Sequence, residues 1–313
     1  MAYMKHTRSE RIQGALWGLL VGDALGVPYE FNAPDLIPVS EAIEFDPPAD
    51  FRRSHSAVPS GTWSDDGAHA LCLLASLLQC GRLDPADLMR RLHDWYESGY
   101  MAVDQRVFDV GVQTSRALAA FRAGVPALDA GPAGARDNGN GSLMRVLPLA
   151  LWHKGSDAEL VADARLQSRV THGHARAQLC CALYCLWARA ILNEVDEPWT
   201  YAVAVLRTMC GDGSEEQAEL EFYIRPDDEM DGRGSSYVVD SLRSARTALA
   251  ADGYEAVVRA AIRLGNDTDT TACLAGGLAG LRGGLDDIPL RWREKLRGRA
   301  LFLPLLEQLL QRG

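Results

Sequence analysis

The sequence predicts an all-α protein that folds as one compact domain of about ten helices. Apolar residues recur at helical spacing along most of the chain, and no stretch shows the alternation of a half-buried strand. A length of 313 residues allows two ordinary domains or one large one. Because no low-complexity linker and no fixed-period repeat divides the chain, we expect a single domain over residues 1–313.

The helical pattern can be followed from one end of the chain to the other. It covers residues 11–20, 68–80, 88–95, 171–193, 238–249, 254–264 and 272–281, and the segment 171–193 is apolar enough to be a buried helix. Clusters of Pro, Gly and Asp predict loops at residues 31–61, 123–141, 193–199 and 210–236.

Charge and cysteine content narrow the class of protein. Thirty-two Lys and Arg against forty-two Asp and Glu give a net charge of −10, which argues against general nucleic-acid binding. The apolar stretch 14–27 contains Asp23 and is too short for a membrane span. Seven cysteines without a CxxC pair indicate buried, reduced thiols. We therefore expect a cytoplasmic protein.

Two acidic clusters precede predicted helices. Thr-Trp-Ser-Asp-Asp-Gly occupies residues 62–67, and Gly-Asn-Asp-Thr-Asp-Thr-Thr occupies residues 265–271. Helix capping explains one acceptor in each cluster, yet each supplies two carboxylates and several hydroxyls. If the clusters converge, each like-charged pair at ~4 Å costs roughly 4 kcal/mol at an effective dielectric near 20. Oxygen-only donors in this number favour two Mg²⁺, Mn²⁺ or Ca²⁺ ions, while capping alone remains the alternative.

Four further features each have two interpretations. Glu30 is either a solvated loop acid or an acid aimed into a pocket, and Asp109, placed early in a predicted helix, is either a capping or a functional acid. The glycine-rich segment 138–145 is either a turn or a phosphate-binding loop, although it lacks the GK[ST] ending of a P-loop. His172 and His174 are spaced for capping or ligand contact rather than for zinc.

Taken in order, these segments resemble the ADP-ribosylglycohydrolase family, in particular its bacterial dinitrogenase reductase-activating type. The matching pieces run from residue 14 to residue 284: GALWGLLVGDALGVPYEF, GTWSDDGAHALCLLASLL, FDVGVQT, DNGNGSLMRVLPLAL, THGHARAQL, GSSYVVDSLRSARTAL and GNDTDTTACLAGGLAGLRGG. The order of all seven is a more specific signal than any one of them.

The resemblance implies an orthogonal helical fold, a binuclear Mg²⁺ or Mn²⁺ site, and hydrolysis of the bond between ADP-ribose and an acceptor, most readily arginine on a protein. The expected partners are thus an ADP-ribosylated protein and the product ADP-ribose. The metal ligands that the resemblance implies are Ser64, Asp65, Asp66, Asp267, Asp269 and Thr270. The implied substrate-binding residues are Asn140, Gly141 and Ser142 for the diphosphate and His172 near the nucleoside. The implied catalytic acids are Glu30, Asp66 and Asp109.

The sequence departs from the family pattern in three places. Gly67 replaces a threonine, His69 stands where an uncharged residue is usual, and Leu281-Arg282 replaces two aromatic residues. These changes leave the acceptor open: serine-linked ADP-ribose, O-acetyl-ADP-ribose or a nucleic-acid end are alternatives within the same fold. A non-catalytic ADP-ribose-binding protein is an alternative of a different class.

Overall fold

A computed structural model describes residues 6–229 and 231–312, and within them the chain is helical without a β-strand. One isolated bridge pairs Gly139 with Tyr237. The all-α prediction is therefore confirmed, with more helices than expected. The α-helices in the described residues are α1 Arg8–Gly26, α2 Asp65–Cys80, α3 Pro85–Ser98, α4 Val112–Arg122, α5 Ala127–Ala130, α6 Leu147–Trp152, α7 Asp157–Arg169, α8 Ala175–Leu192, α9 Pro198–Met209, α10 Glu215–Ala218, α11 Val238–Leu249, α12 Tyr254–Arg263, α13 Thr268–Gly283, α14 Leu290–Lys295 and α15 Arg299–Gln311.

Helices α1 and α13 form the centre of the fold and pack antiparallel with their backbones in contact. A Cβ atom at Gly18 would lie 2.4 Å from the carbonyl oxygen of Gly276, and one at Gly22 would lie 2.1 Å from that of Ala272. Only glycine permits so close an approach. The C-terminal end of α1 is thereby held against the first turn of α13.

Helix α2 is attached to the same place by a buried carboxylate. Asp23 of α1 accepts hydrogen bonds from the backbone N–H groups of Ser64 (2.9 Å) and Gly67 (2.7 Å). Gly67 leaves room for this contact, because a Cβ atom there would lie 2.9 Å from Oδ2 of Asp23. The N-termini of α2 and α13 consequently meet at the C-terminal end of α1.

Several predicted helix boundaries are wrong, and each difference has a local structural reason. Helix α2 begins at Asp65 rather than at residue 68, and α13 begins at Thr268 rather than at residue 272, so both acidic clusters form first helical turns. Helix α8 begins at Ala175, because His174 caps it through a hydrogen bond from the N–H of Arg176 to Nδ1 (3.2 Å). Asp109 lies outside any helix, with a φ of 55°, and α4 begins only at Val112.

The predicted loop 210–236 also contains regular structure. Helix α10 continues into a π-helical turn, Glu219–Ile224, whose Glu219 is paired with Arg176 of α8 through Nε at 2.7 Å. The hydrophobic periodicity of the sequence does not indicate this ion pair between distant segments. The cysteines are free thiols, as expected. No helix in the described part of the chain has the length and hydropathy of a membrane span.

Candidate active site

A cleft of about 690 Å³ opens where the N-termini of α2 and α13 meet. Its acidic lining comes from four separate segments of the chain, and glycine-rich and histidine-containing turns form the opposite wall. The sequence-predicted residues that line it are Glu30, Asp65, Asp66, Asp109, Asn140, Gly141, His172, Asp267 and Thr270. Segments some 200 residues apart in sequence thus contribute to one site.

The two acidic clusters converge in this cleft. Carboxylate oxygens of Glu30, Asp267 and Asp269 all lie within 4.8 Å of one another. Asp65 and Asp66 are buried beside them, at 4% and 1% exposure. Asp65 Oδ1, Asp66 Oδ2 and Asp269 Oδ2 are buried without a hydrogen-bond partner, which helix capping does not explain.

Capping does explain one member of the cluster. The hydroxyl oxygen of Ser64 accepts a hydrogen bond from the N–H of Asp66 at 3.2 Å, and Ser64 does not line the cleft. The capping interpretation therefore applies to Ser64, whereas the carboxylates beside it remain available to a ligand. Thr270, in the first turn of α13, does line the cleft.

The electrostatics of the cluster favour either protons or cations. Burial, reinforced by neighbouring carboxylates, raises the pKa of Asp65, Asp66 and Asp269 well above the usual range. Burial raises the pKa of Glu30 to about 11, and burial followed by the charge of Asp267 raises that of Asp109 to about 6. An all-oxygen donor set in this state fits hard divalent cations, because they neutralise the carboxylates without protonating them.

His55 belongs to the site although sequence reasoning missed it. Its Nε2 lies 2.6 Å from Oε2 of Glu30, and Glu30, His55 and Asp109 place ligand atoms within 4.8 Å of one another. The imidazole also makes tilted ring contacts with Phe31 (5.6 Å between ring centroids) and with Phe108 (5.0 Å). His55 lies in the long loop 31–61, where no motif or periodicity marked it.

Several residues at or next to this cleft have a left-handed backbone conformation, although they are not glycine. Phe31, His55, Asp109 and Asn266 all have positive φ, between 49° and 60°. The N–H of Phe31 donates to the carbonyl oxygen of Asn266 at 2.6 Å, which ties the segment after Glu30 to the second acidic cluster. Such conformations persist where surrounding contacts hold them, and they cluster at functional sites.

The predicted residues of the glycine-rich turn differ in their contacts. Asn140 donates from Nδ2 to Asp267 Oδ2 and to Ser241 Oγ, both at 2.9 Å, so its side chain positions an acid of the cluster. Gly139 and Gly141 expose backbone to the cleft. Ser142 is fully buried and its hydroxyl contacts Ser168 Oγ at 2.8 Å, outside the cleft lining. The hydroxyl of Ser142 thus braces the glycine-rich turn from behind, and the expected part of Ser142 in holding a diphosphate stays a prediction.

Two of the departures from the family pattern lie away from the cleft. Leu281 and Arg282 are at the C-terminal end of α13, roughly 20 Å along the helix from Asp269 at 1.5 Å per residue. Arg282 donates there to the carbonyl oxygen of Leu249. His69 is buried in the core, edge-on to Trp95 at 4.2 Å. Residues 281 and 282 are therefore not part of the cleft lining.

The all-helical fold and the carboxylates at two helix N-termini define a class of protein. Proteins similar to this chain belong to the same class. The ADP-ribosylglycohydrolase family model matches residues 4–313. ADP-ribosylarginine hydrolase Tri1 of Pseudomonas putida (strain GB-1) is 32% identical, over 97% of this chain and 79% of its own. ADP-ribosyl-[dinitrogen reductase] glycohydrolase of Rhodospirillum rubrum is 30% identical, over 92% and 90%.

A solved structure gives the same result. A chain described as an ADP-ribosylglycohydrolase-related protein complex superposes with a TM-score of 0.77 at 32% identity, over 97% of this chain and 98% of that one. The protein belongs to the ADP-ribosylglycohydrolase family, and it is a glycohydrolase.

Proposed function

We propose that this chain releases ADP-ribose from arginine side chains of proteins, using two divalent cations, Mg²⁺ or Mn²⁺, at the acidic cluster. The observation that carries the proposal is that buried carboxylates converge in the lining of one cleft and, at Asp269, directly next to that lining, and that three of these residues have unpartnered oxygens. Relatives at 32% and 29% identity are ADP-ribosylarginine hydrolases, which supports the choice of arginine among possible acceptors.

The residues proposed to hold the cations are Asp65, Asp66, Asp267, Asp269 and Thr270, with Ser64 as the weakest member because its hydroxyl already caps α2. When bound, the cations supply positive charge that orients the ribose hydroxyls and lowers the pKa of a water. Asn140 holds Asp267 in place through its amide group, so this proposed metal ligand is positioned before a cation binds.

The remaining acids are placed for proton transfer. Glu30 or Asp66 would accept the proton of the attacking water, and both line the cleft. Asp109 projects from a strained loop on the Glu30 side, where it would contact the leaving guanidinium or its proton. Carboxylates around the anomeric carbon also stabilise a transition state of oxocarbenium character.

The substrate wall would bind the ADP part. Backbone at Gly139 and Gly141 can approach a diphosphate closely, and His172 stands beside it. A net charge of −10 favours a cationic acceptor segment over nucleic acid. Free thiols fit a protein substrate in the reducing cytoplasm.

The decisive experiment incubates the purified protein with a peptide carrying ADP-ribosylarginine, in the presence of Mg²⁺, Mn²⁺ or EDTA. We expect free ADP-ribose to appear with either ion, to disappear with EDTA, and to be lost in Asp267→Ala. Asp286→Ala, an acid 94% exposed on its side chain, is the matched control and should retain activity.

Parallel substrates separate the alternatives. Release from serine-linked ADP-ribose or O-acetyl-ADP-ribose, without release from arginine, would keep the catalyst and change the acceptor. Binding of ADP-ribose with no release from any substrate would favour the non-catalytic alternative.

A further inference from the structure

A chain of hydrogen bonds runs from the core to His172 on the cleft wall. Arg145 is fully buried, and its Nη1 donates to Thr171 Oγ1 at 2.8 Å. Thr171 Oγ1 lies 2.8 Å from Nδ1 of His172. Thr171 is itself fully buried, and His172 is 2% exposed. Three consecutive polar groups are thus shielded from water on all but the cleft side.

The direction of each hydrogen bond follows from the chemistry of the donors. A guanidinium group only donates, so Thr171 Oγ1 accepts from Arg145. The hydroxyl proton then needs an acceptor, and Nδ1 of His172 is the polar atom within reach among the described residues. If Nδ1 carried the proton instead, the Thr171 hydroxyl proton would be buried without a partner. Nδ1 is therefore the acceptor, and the proton of the neutral imidazole is on Nε2.

This Nε2–H group lies next to the glycine-rich turn of the cleft. A Cβ atom at Gly141 would lie 3.2 Å from Nε2, and one at Gly139 would lie 3.6 Å from it. Burial, followed by the charge of Arg145, lowers the pKa of His172 to about 3, which keeps the ring neutral. The cleft wall thus presents a neutral donor next to exposed backbone.

The backbone of His172 is held by other contacts. Its N–H donates to the carbonyl oxygen of Ser168 at 2.7 Å, and Ser168 Oγ donates to the carbonyl oxygen of His172 at 3.0 Å. Thr171 Oγ1 therefore controls the tautomer and ring orientation without being needed to place the turn.

We propose that Thr171 is a positioning residue: supported by Arg145, it holds His172 as the Nε2–H tautomer, which donates a hydrogen bond to an oxygen of the bound ADP-ribose moiety. The ligand named here rests on the proposed function, whereas the tautomer is a property of the free protein. Neither residue supplies a proton to the reaction in this scheme.

The tautomer is tested without ligand or metal. Protein with ¹⁵N-labelled histidine is examined by long-range ¹H–¹⁵N correlation NMR, and His172→Ala identifies the signal among the seven histidines. We expect the Nε2–H pattern in the wild type and in Thr171→Ser, which keeps the hydroxyl. Thr171→Val, nearly the same size, should shift His172 towards a mixture of tautomers. An Nδ1–H pattern in the wild type would overturn the proposal.

Binding of ADP-ribose, measured by calorimetry with Mg²⁺ present, tests the consequence. Thr171→Val should weaken binding about tenfold, the effect of one lost hydrogen bond, and Thr171→Ser should stay within about twofold. In a His172→Ala background, Thr171→Val should have no further effect, because Thr171 acts through His172. Additive losses would contradict the proposal. A wild type that binds no ADP-ribose would contradict the proposed function and the ligand named here, while the NMR result would still decide the tautomer.

Discussion

Neighbouring residues of the same motif differ in their contacts: some cap a helix, and others keep oxygens without a hydrogen-bond partner. Ser64 and His174 cap helices, as the capping interpretation predicts. Asp65, Asp66 and Asp269 sit in first turns yet leave oxygens without partners. The first turn of a helix favours negative charge, so the two helix N-termini lower the free energy of burying these carboxylates. The carboxylates still keep oxygens without hydrogen-bond partners. The surplus of carboxylates over caps therefore marks Asp65, Asp66 and Asp269 as candidate ligands.

Asp23 is the residue whose role the sequence concealed. It stands in an apolar helix, and sequence reasoning used it only to argue against a membrane span. Substitution Asp23→Asn removes one of two acceptors that hold Ser64 and Gly67. We expect a loss of about 1–2 kcal/mol in unfolding free energy by urea titration, together with a fall in kcat.

The control for this substitution is Asp84→Asn. Asp84 caps α3 by accepting from the N–H groups of Ala86 and Asp87 through one oxygen, which asparagine retains. Activity should be unchanged in Asp84→Asn. Equal effects of the two substitutions on kcat would show that Asp23 is not specific to the site.

His172 gives a pH-dependent prediction for stability. Its pKa is lowered to about 3 in the folded protein from about 6.5 in an unfolded chain, so below pH 6.5 the unfolded state binds the extra proton. The stability contributed by the neutral ring is complete above pH 6.5 and is lost as the pH falls towards 3. Between pH 7.5 and 4.5 the wild type should lose about 2–3 kcal/mol more than His172→Asn.

Urea unfolding of both proteins at the two pH values measures this difference. The comparison cancels the other titrating groups, including buried His69, since both proteins contain them. Parallel losses in the two proteins would mean that His172 titrates normally in the folded state.

At the level of helices, the spacing of glycines positions the site. Gly14, Gly18, Gly22 and Gly26 recur every four residues on one face of α1, and this face contacts α13. The repeat is visible in the sequence and is the signal that could have predicted a backbone-to-backbone contact. By composition alone these glycines mark only the small-residue end of a helix, which leaves the convergence of the two clusters an assumption.

Substitution Gly22→Ala tests this helix pair. Its Cβ would lie 2.1 Å from the carbonyl oxygen of Ala272, so α1 and α13 must separate. We expect a loss of about 3 kcal/mol in unfolding free energy, and lower activity even where the protein is folded, because Asp269 moves with α13. Gly211→Ala is the control, since its Cβ would meet only Ser214 atoms, at 3.8 and 4.0 Å. Similar stability of both variants would contradict the argument.

For the whole molecule, periodicity predicted the helical class, and the acidic motifs predicted segments that line the cleft. Neither signal predicted the features that depend on contacts between distant segments. His55 reaches Glu30 from a loop without pattern, and the π-helical turn at Glu219 is held by Arg176. Asp109 was placed in a helix because its neighbours favour one, whereas its strained conformation is held at the cleft mouth. Such features arise from tertiary packing, which local propensity does not encode.

Under the proposed function, binding of divalent cations at the carboxylate cluster makes the stability of the entire fold depend on those cations. Without them, buried acids repel one another or must be protonated; with them, the folded state gains RT ln(1 + [L]/Kd), about 2.7 kcal/mol at a concentration of 100 Kd. We expect Mg²⁺ or Mn²⁺ to raise the melting temperature by several degrees, and EDTA to reverse the change. Asp269→Asn should melt no lower than the wild type in EDTA, because one repelling charge is gone, and should respond little to added metal. Asp286→Asn, changed at an exposed acid, should respond as the wild type does. A wild-type melting temperature that ignores both metal and chelator would remove the cation from the proposed mechanism.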